Sequence, residues 1–303
     1  MVEEIFLENI NELFDFFSVW HNDYSGWIFR GHKSEQFKLI PSILRVESAK
    51  IILKKWTNKG IQDISELKQN NVLMIRQEFN LLRNFFYLAD QRGLFVPKSQ
   101  ILEYFKNNNG YVPELSNPYP TKLWIPDDLY TLTGLAQHYG IQTRFLDWTF
   151  DPYVSLFFAL RYNIKSDENA CVWMLHKNNL IFSLPSLTGL QFIVPDYNCN
   201  PFLHAQKGLF SHWKIKVPNS PQIAHNDSLI DRRCLTEQII EDPRYCVQQK
   251  NIFKKIIIPN KLAKKSCEIL KKMGYDFSSI YPGYSGVAKE INNCPDYTSN
   301  IGI

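Results

Sequence analysis

The sequence predicts an α+β fold in which a helical N-terminal half surrounds a strand-rich core with a mixed sheet. Apolar residues recur about every 3.6 positions over 4–20 and in the second part of 47–90, as they do in amphipathic helices. After residue 167 the pattern changes to short apolar runs of β type, separated by loops that contain Pro, Asn and Ser. These runs lie at 170–176, 191–194, 208–216 and 253–258.

Residues that begin or end helices place the remaining elements. Pro152 stands at a favoured position in the first turn of a helix, and Gly274 is a suitable residue to end one. We expect helices over 127–138, 151–161 and 261–273, strands over 27–32 and 143–148, an extended connection over 93–126, and a frayed end over 292–303.

The composition is that of a folded chain. Of the 303 residues, 45% are hydrophobic and 14% are aromatic, whereas disordered chains have few aromatic residues and a large net charge. The formal net charge of +4 allows an anionic partner without requiring one. The apolar runs fall far short of the roughly 20 residues that span a bilayer, and the acidic N-terminus lacks the pattern of a secretory signal. We therefore expect a cytoplasmic protein without a membrane partner.

Several common kinds of site have no motif in the sequence. The six cysteines are scattered and include no CxxC pair. Because structural zinc sites use closely spaced ligands, we expect no metal. The sequence contains no GxGxxG, Walker, GxSxG or HExxH motif either. This weakens the case for a Rossmann, P-loop, α/β-hydrolase or zincin function.

The first candidate site is Arg30-Gly31, near the end of the strand over 27–32. A guanidinium beside an apolar strand is costly unless it meets an anion, and its planar fork suits a phosphate or a carboxylate. An internal salt bridge, for example with Asp147, explains the same position about equally well. The residues alone leave both interpretations open.

The second candidate is the stretch 137–149. A strand over 143–148 would place charged and apolar side chains on both of its faces, whereas a surface strand separates them. We interpret the stretch as part of a polar cleft. The alternative is a buried structural network, in which Asp147 caps the next helix and Arg144 binds backbone carbonyls. The candidate residues are His138, Tyr139, Thr143, Arg144, Asp147, Trp148 and Thr149. A third and weaker candidate is the polar turn at 204–211, which contains Gln206 and a glycine that permits close backbone approach.

At these places the sequence resembles the FRG domain family. WIFRGH at 27–32 is similar to the motif that names the family, and LAQHYGIQTRFLDWT at 135–149 is similar to its QHYG-x-PTR-x-LDWT block. The segments at 151–159, 205–210 and 280–288 resemble later blocks in the same order. Gln142 replaces the usual proline, His32 the usual glutamine, and Gly283 and Ser285 two closing aspartates.

This resemblance implies a domain organisation. An FRG-like domain over 25–290 would follow an N-terminal helix within 1–24 and end in a tail over 291–303. A helical and loop insertion would occupy about 47–126 of that domain.

The order of the FRG motifs is similar to that of ADP-ribosyltransferases, which implies a fold of that kind with NAD as co-substrate. Arg30 and Gly31 would then hold the phosphate or the nicotinamide ribose of NAD. Gln206 stands where the catalytic glutamate of those enzymes lies, and a glutamine cannot deprotonate a nucleophile or match the electrostatic effect of a carboxylate. Asp147 is a candidate for that task. The other residues implied to contact NAD are Tyr139, Thr143, Arg144, Trp148 and Thr149.

Three functions are compatible with these residues. The first is an ADP-ribosyltransferase-like enzyme that cleaves NAD and modifies a nucleic acid or a protein, as a toxin or effector in bacterial or phage defence with an antitoxin or regulator as partner. The second is a nuclease or nucleotide-processing enzyme that uses His138, Arg144 and Asp147. The third is a non-catalytic binding module for nucleotides or nucleic acids, in which Arg30 and Arg144 hold the anion.

Overall fold

A mixed sheet forms the centre of the structure, a computed structural model that describes residues 2–48, 50–51, 71–107, 123–161, 167–181, 188–217, 231–248 and 252–293. Within these ranges the sheet has eight strands. They are Val2–Phe6 (β1), Trp27–His32 (β2), Leu123–Trp124 (β3), Leu146–Thr149 (β4), Ala170–His176 (β5), Gly189–Ile193 (β6), Gly208–Lys216 (β7) and Phe253–Ile258 (β8).

The order of the strands places the two main candidate segments in the middle of the sheet. It is β1-β8-β5-β2-β4-β7-β3, and β6 also pairs with β7. β1 runs parallel to β8, and the other pairs are antiparallel. The protein therefore has the predicted α+β class with a mixed sheet, and β2 lies next to β4.

Helices pack on both faces of this sheet. They are Ile10–Phe17 (α1), Asn71–Gln91 (α2), Gln100–Asn107 (α3), Tyr130–His138 (α4), Pro152–Leu160 (α5), Asn178–Ile181 (α6), Pro201–Ala205 (α7), Leu235–Glu241 (α8), Ala263–Lys272 (α9), Phe277–Ile280 (α10) and Tyr284–Asn293 (α11). α1, α5 and α9 share a core cluster with Phe29 and Val172, whereas α8 packs with Ile28 and Leu175. Residues of α2, α4 and β7 form a further cluster.

The predicted bounds of β2, β5, β7 and β8 are those of the structure. Other predictions were wrong in part: the strand expected over 143–148 is Leu146–Thr149, and the one expected over 191–194 is Gly189–Ile193. Residues 2–6 form a strand instead of the start of a helix, because they pair with β8. α1 begins only after Asn9, whose side chain accepts from the backbone N–H groups of Asn11 and Glu12. α3 lies inside the predicted extended connection. Much of the predicted insertion and tail, at 52–70, 108–122 and 294–303, falls outside the described residues.

The glycine of the Arg30-Gly31 pair lets α5 approach β2. A Cβ atom at Gly31 would lie 2.0 Å from the carbonyl oxygen of Ser155 and 2.6 Å from the backbone nitrogen of Ala159. We expect Gly31→Ala to lower the free energy of unfolding by at least about 3 kcal/mol, because two backbone segments would have to separate. Urea unfolding followed by circular dichroism measures this loss.

Gly93→Ala is the matched control for this substitution. A Cβ atom at Gly93 would have no heavy atom within 4 Å, so only the φ angle of +69° opposes a side chain there. Its expected cost is about 1–2 kcal/mol. If the two variants lose equal stability, the close approach of α5 is not what requires glycine at position 31.

Candidate functional site

A cleft opens where β2 and β4 separate. Among the described residues the two strands pair only at Phe29 and Thr149, while β2 continues along β5 and β4 along β7. The cleft has a volume of about 300 Å³, which is at the lower end of the range for small-molecule sites. Its walls include residues of β2, α4, β4, α5 and α7, with Tyr281 after α10.

Arg30 connects the two strands at this opening. Its Nη1 donates to the backbone carbonyl of Asp147 at 2.7 Å and to the Oδ2 atom of the same residue at 3.1 Å. Its Nε donates to Nε2 of His32 at 2.9 Å. The remaining nitrogen, Nη2, has no hydrogen-bond partner among the described residues. The predicted salt bridge and the predicted cleft position are therefore both present in the structure.

His32 holds the arginine as a neutral acceptor. Burial, followed by the charge of Arg30, lowers the pKa of His32 to about 3. Nε2 accepts from Arg30 while Nδ1 donates to the backbone carbonyl of Phe37 at 3.1 Å. This arrangement fixes the tautomer of His32 and the direction of the guanidinium.

Asp147 presents a carboxylate to the cleft. Its side chain is 57% exposed, compared with 15% for that of Arg30. Oδ1 accepts from Nε2 of Gln137, and Oε1 of Gln137 accepts from the hydroxyl of Thr143. The carboxylate is thus oriented from two sides, by an arginine on β2 and by a glutamine on α4.

The two predicted threonines use their hydroxyls within the protein. Thr143 is buried and bonds to Gln137 and to the backbone nitrogen of Phe145. Thr149 lines the cleft, but its hydroxyl donates to the carbonyl of Gln206 at 2.7 Å and accepts from the backbone nitrogen of Asp151 at 3.0 Å. Both residues position neighbours that reach the cleft.

Gln206 reaches the cleft from the end of α7. Its side-chain nitrogen donates to the carbonyl of Ile280 at 3.3 Å, which ties α7 to α10. The next residue, Lys207, has a φ angle of +44°, which is unusual for a residue with a side chain. Its Nζ lies 2.7 Å from Oδ2 of Asp151, the residue that caps α5. The turn that carries Gln206 is therefore anchored at several points.

His138 lines the same cleft as a neutral ring. It stacks on Phe202 with ring centroids 3.6 Å apart. Burial is the main cause that lowers the pKa of His138 to about 4, against the opposing effect of Asp147. Lys289 lowers it further, and Nζ of that lysine lies 3.9 Å from the ring centroid of Tyr281, a residue of the cleft wall.

Two aromatic residues predicted to contact NAD take other positions. Tyr139 is 63% exposed and packs edge-on against His138 and Phe202 outside the lining of the cleft. Trp148 touches the cleft, but its side chain is buried in the core and its Nε1 donates to the hydroxyl of Ser211 at 2.8 Å. Neither the Trp148 indole nor the Tyr139 phenol presents a free ring face to the opening of the cleft.

Arg144 does not belong to the cleft lining. It is 3% exposed and forms a two-point ion pair with Glu78 of α2, with Nε to Oε2 at 2.6 Å and Nη2 to Oε1 at 2.8 Å. Nε1 of Trp124 donates to the same carboxylate at 2.6 Å. The prediction that Arg144 contacts a ligand therefore finds no support in its position, because a buried carboxylate already occupies its fork.

Several residues of the cleft were not among the predicted site residues. Gln137 stands inside the recognised block, yet its contact with Asp147 depends on the fold. Asn200 is 2% exposed, caps α7 by accepting from the backbone nitrogen of Leu203, and donates to the carbonyl of Gly134. The sequence Asn200-Pro201 is a typical helix start and could have located α7. Tyr281 has no comparable local signal.

Part of the sequence matches a known protein family. Residues 25–168 match the model of the FRG domain. This segment, just under half of the chain, is similar to the FRG domain. No curated protein and no solved structure gives a match. The motifs at 27–32, 135–149 and 151–159 lie within the matched residues, whereas the segments at 205–210 and 280–288, which also resembled the family, lie outside them.

The segment that matches the FRG domain contains Arg30, His138 and Asp147. It ends before Gln206 and Tyr281. The cleft is therefore formed by the matched segment together with the strand-rich part that follows it. None of the helices that the structure describes is long and apolar enough to cross a membrane. In the same residues, no group of three or more His, Cys, Asp or Glu side chains could hold a metal ion.

Proposed function

We propose that this protein is an ADP-ribosyltransferase-like enzyme that cleaves NAD and transfers ADP-ribose to a macromolecular acceptor. The observation that carries the proposal is the Arg30–Asp147 pair in the opening between β2 and β4. There, an arginine nitrogen without a partner among the described residues lies beside a carboxylate that is 57% exposed. An anion site next to an oriented carboxylate suits a phosphorylated substrate that must react with a nucleophile.

The cleft residues fit such a substrate. Nη2 of Arg30 would hold an anionic group, and Oε1 of Gln206 lies on a residue of the wall whose side-chain nitrogen is already bonded to Ile280. NAD supplies an ADP-ribosyl group through a glycosidic bond, and cleavage of that bond releases neutral nicotinamide with the bonding electron pair. The His138–Phe202 stack provides an apolar surface at the edge.

Asp147 would take the role that the catalytic glutamate has in ADP-ribosyltransferases. Its carboxylate can accept the proton of the acceptor group while that group bonds to the ribose carbon released by nicotinamide. Hydrogen bonds from Gln137 and Arg30 orient the Asp147 carboxylate. Its negative charge stabilises the positive charge that develops on the ribose. Gln206 would contribute a hydrogen bond but no charge.

The alternative functions have less support from the arrangement. The nuclease hypothesis and the binding-module hypothesis both require Arg144 to face the ligand, whereas Arg144 is paired with Glu78. We also propose that the enzyme acts as a toxin or effector controlled by an antitoxin or regulator. Growth arrest on expression in bacteria is the expected sign of that role.

Arg30→Gln tests the proposed function. We expect the rate of nicotinamide release from NAD to fall about 10–100-fold, because a charge-assisted hydrogen bond contributes about 1.5–3 kcal/mol. Purified protein is incubated with NAD that carries a label in its adenylate part and with RNA, DNA and protein acceptors. Nicotinamide release and transfer of label are measured, and growth of cells that express each variant is recorded.

Arg92→Gln is the control, because it removes the same charge from an exposed position outside the cleft lining. Thermal unfolding shows whether each variant is folded. Absence of both nicotinamide release and label transfer in the wild-type protein would contradict the proposed function.

A further inference from the structure

We propose that the free edge of β1 and the groove beside it bind an extended, basic segment of a partner protein, which adds a strand to the sheet. In the order of the strands, β1 is separated from β2 by β8 and β5. The surface therefore lies away from the cleft between β2 and β4. The inference does not depend on the proposed function and can be tested without NAD.

The outer edge of β1 offers backbone groups to a further strand. Among the described strands, β1 pairs only with β8, in parallel. The backbone nitrogen of Leu7, which directly follows β1, donates to the carbonyl of Ile257 at 3.1 Å. Because inward and outward backbone groups alternate along an edge strand, Glu4 and Phe6 direct their N–H and C=O groups away from β8. Within the described part of the chain these outward groups have no hydrogen-bond partner.

A groove beside the end of β1 combines apolar and acidic side chains. It is open and has a volume of about 730 Å³. Phe6 and Phe16 contribute rings to its lining, and Phe6 is 53% exposed although it belongs to a strand. Apolar side chains at the rim of a strand edge suit the alternate side chains of an added strand. The acidic residues of the lining are Glu8, Glu12 and Asp15.

These carboxylates have no lysine or arginine partner among the described residues. Glu12 accepts from the backbone nitrogen of Glu8 at 2.9 Å and from the side-chain nitrogen of Asn9 at 2.6 Å. The cationic group nearest to Asp15 is on His21, with Nδ1 3.8 Å from Oδ1, and both side chains are largely exposed. The lining of the groove contains no lysine or arginine. Its charge is therefore complementary to a segment that carries Lys or Arg.

Charge also argues against a second copy of the chain as the occupant. β1 carries Glu3 and Glu4, which pair with Lys254 and Lys255 of β8 at 3.4 and 3.2 Å. Two β1 strands joined edge to edge would bring these glutamates together, and like charges opposite each other destabilise a sheet. A strand with Lys or Arg at alternate positions would instead lie beside glutamates of β1 and carboxylates of the groove.

Fluorescence anisotropy with synthetic peptides tests the site. The basic peptide KIKVRVK carries a fluorescein label, and EIEVEVE is its acidic counterpart. A third peptide is KIKVRVK with N-methyl groups on its backbone nitrogens, which keep the charge but remove the donors that strand pairing needs. We expect the wild-type protein to bind KIKVRVK at least about 10-fold more tightly than either of the other peptides.

Substitutions separate the contribution of the backbone from that of charge. Phe6→Pro removes an N–H that points away from β8 and should weaken the binding of KIKVRVK at least about 10-fold, whereas Phe6→Ala keeps that N–H and should weaken it less. Glu8→Gln with Asp15→Asn should weaken binding about 5–10-fold and reduce its dependence on salt. Glu103→Gln with Asp196→Asn, a matched pair of exposed carboxylates outside the groove, should bind as the wild type does.

Three results would overturn the inference. Equal binding of KIKVRVK and its N-methylated form by the wild-type protein would show that the backbone of β1 takes no part. Absence of KIKVRVK binding by the wild-type protein is the second. The third is a wild-type dimer, seen by analytical ultracentrifugation, that Phe6→Pro converts to a monomer, because a second copy would then occupy the edge. Circular dichroism checks the fold of Phe6→Pro, and if it is unfolded the three peptides and the groove-charge variant still decide.

Discussion

Asp147→Asn is expected to slow the release of nicotinamide from NAD about 100–1000-fold while the protein remains folded. Asparagine has nearly the same shape and can still accept a hydrogen bond from Arg30, but it has no negative charge and cannot take up a proton. Removal of one preorganised electrostatic group from an active site typically has an effect of this size. Since the Asp147 side chain is 57% exposed, loss of its ion pair should change stability by less than about 1 kcal/mol.

Single-turnover measurement of nicotinamide release distinguishes a chemical effect from a binding effect. Binding of ADP-ribose to Asp147→Asn should remain within a few-fold of the wild-type value, because Arg30 keeps its charge. Asp196→Asn is the control, as Asp196 is an exposed carboxylate that does not line the cleft. If Asp147→Asn retains wild-type activity, another group acts as the acceptor of the proton.

The sequence predicted those parts of the fold that depend on local patterns. β5 and β8 are short apolar runs between polar loops, and their bounds were predicted correctly. β1 was missed because its identity as a strand depends on pairing with residues 253–257, some 250 positions away. An acidic pentapeptide with apolar residues at positions 2, 5 and 6 fits the start of a helix as well as a strand.

The sequence likewise predicted only some of the residues of the candidate site. Arg30 and Asp147 were identified, including their pairing as one of two interpretations, because each lies in an unusual position within an apolar strand. The role of Arg144 was not, since a sequence does not reveal which charged residues share a buried region. The partner of Arg144 stands 66 positions away on α2.

Glu78→Gln should lower the free energy of unfolding by about 3–5 kcal/mol, as is usual when one member of a buried ion pair is removed. The side chains of Glu78 and Arg144 are both 4% exposed, and Trp124 donates to the same carboxylate. Arg232 is also affected by this pair: burial and the charge of Arg144 lower its pKa, and Glu78 raises it. Loss of the carboxylate would therefore leave two arginines without their common counter-charge.

Urea unfolding at neutral pH measures this effect, with Asp90→Asn as a control that breaks the more exposed Lys106 ion pair at an expected cost of at most about 1 kcal/mol. The double substitution Glu78→Leu with Arg144→Met should be more stable than Glu78→Gln, because apolar replacements leave no buried charge. If Glu78→Gln is as stable as the wild type, Arg144 does not need its carboxylate, and a ligand-binding role for it returns. A stable double variant that still releases nicotinamide would instead confine the chemistry to the cleft between β2 and β4.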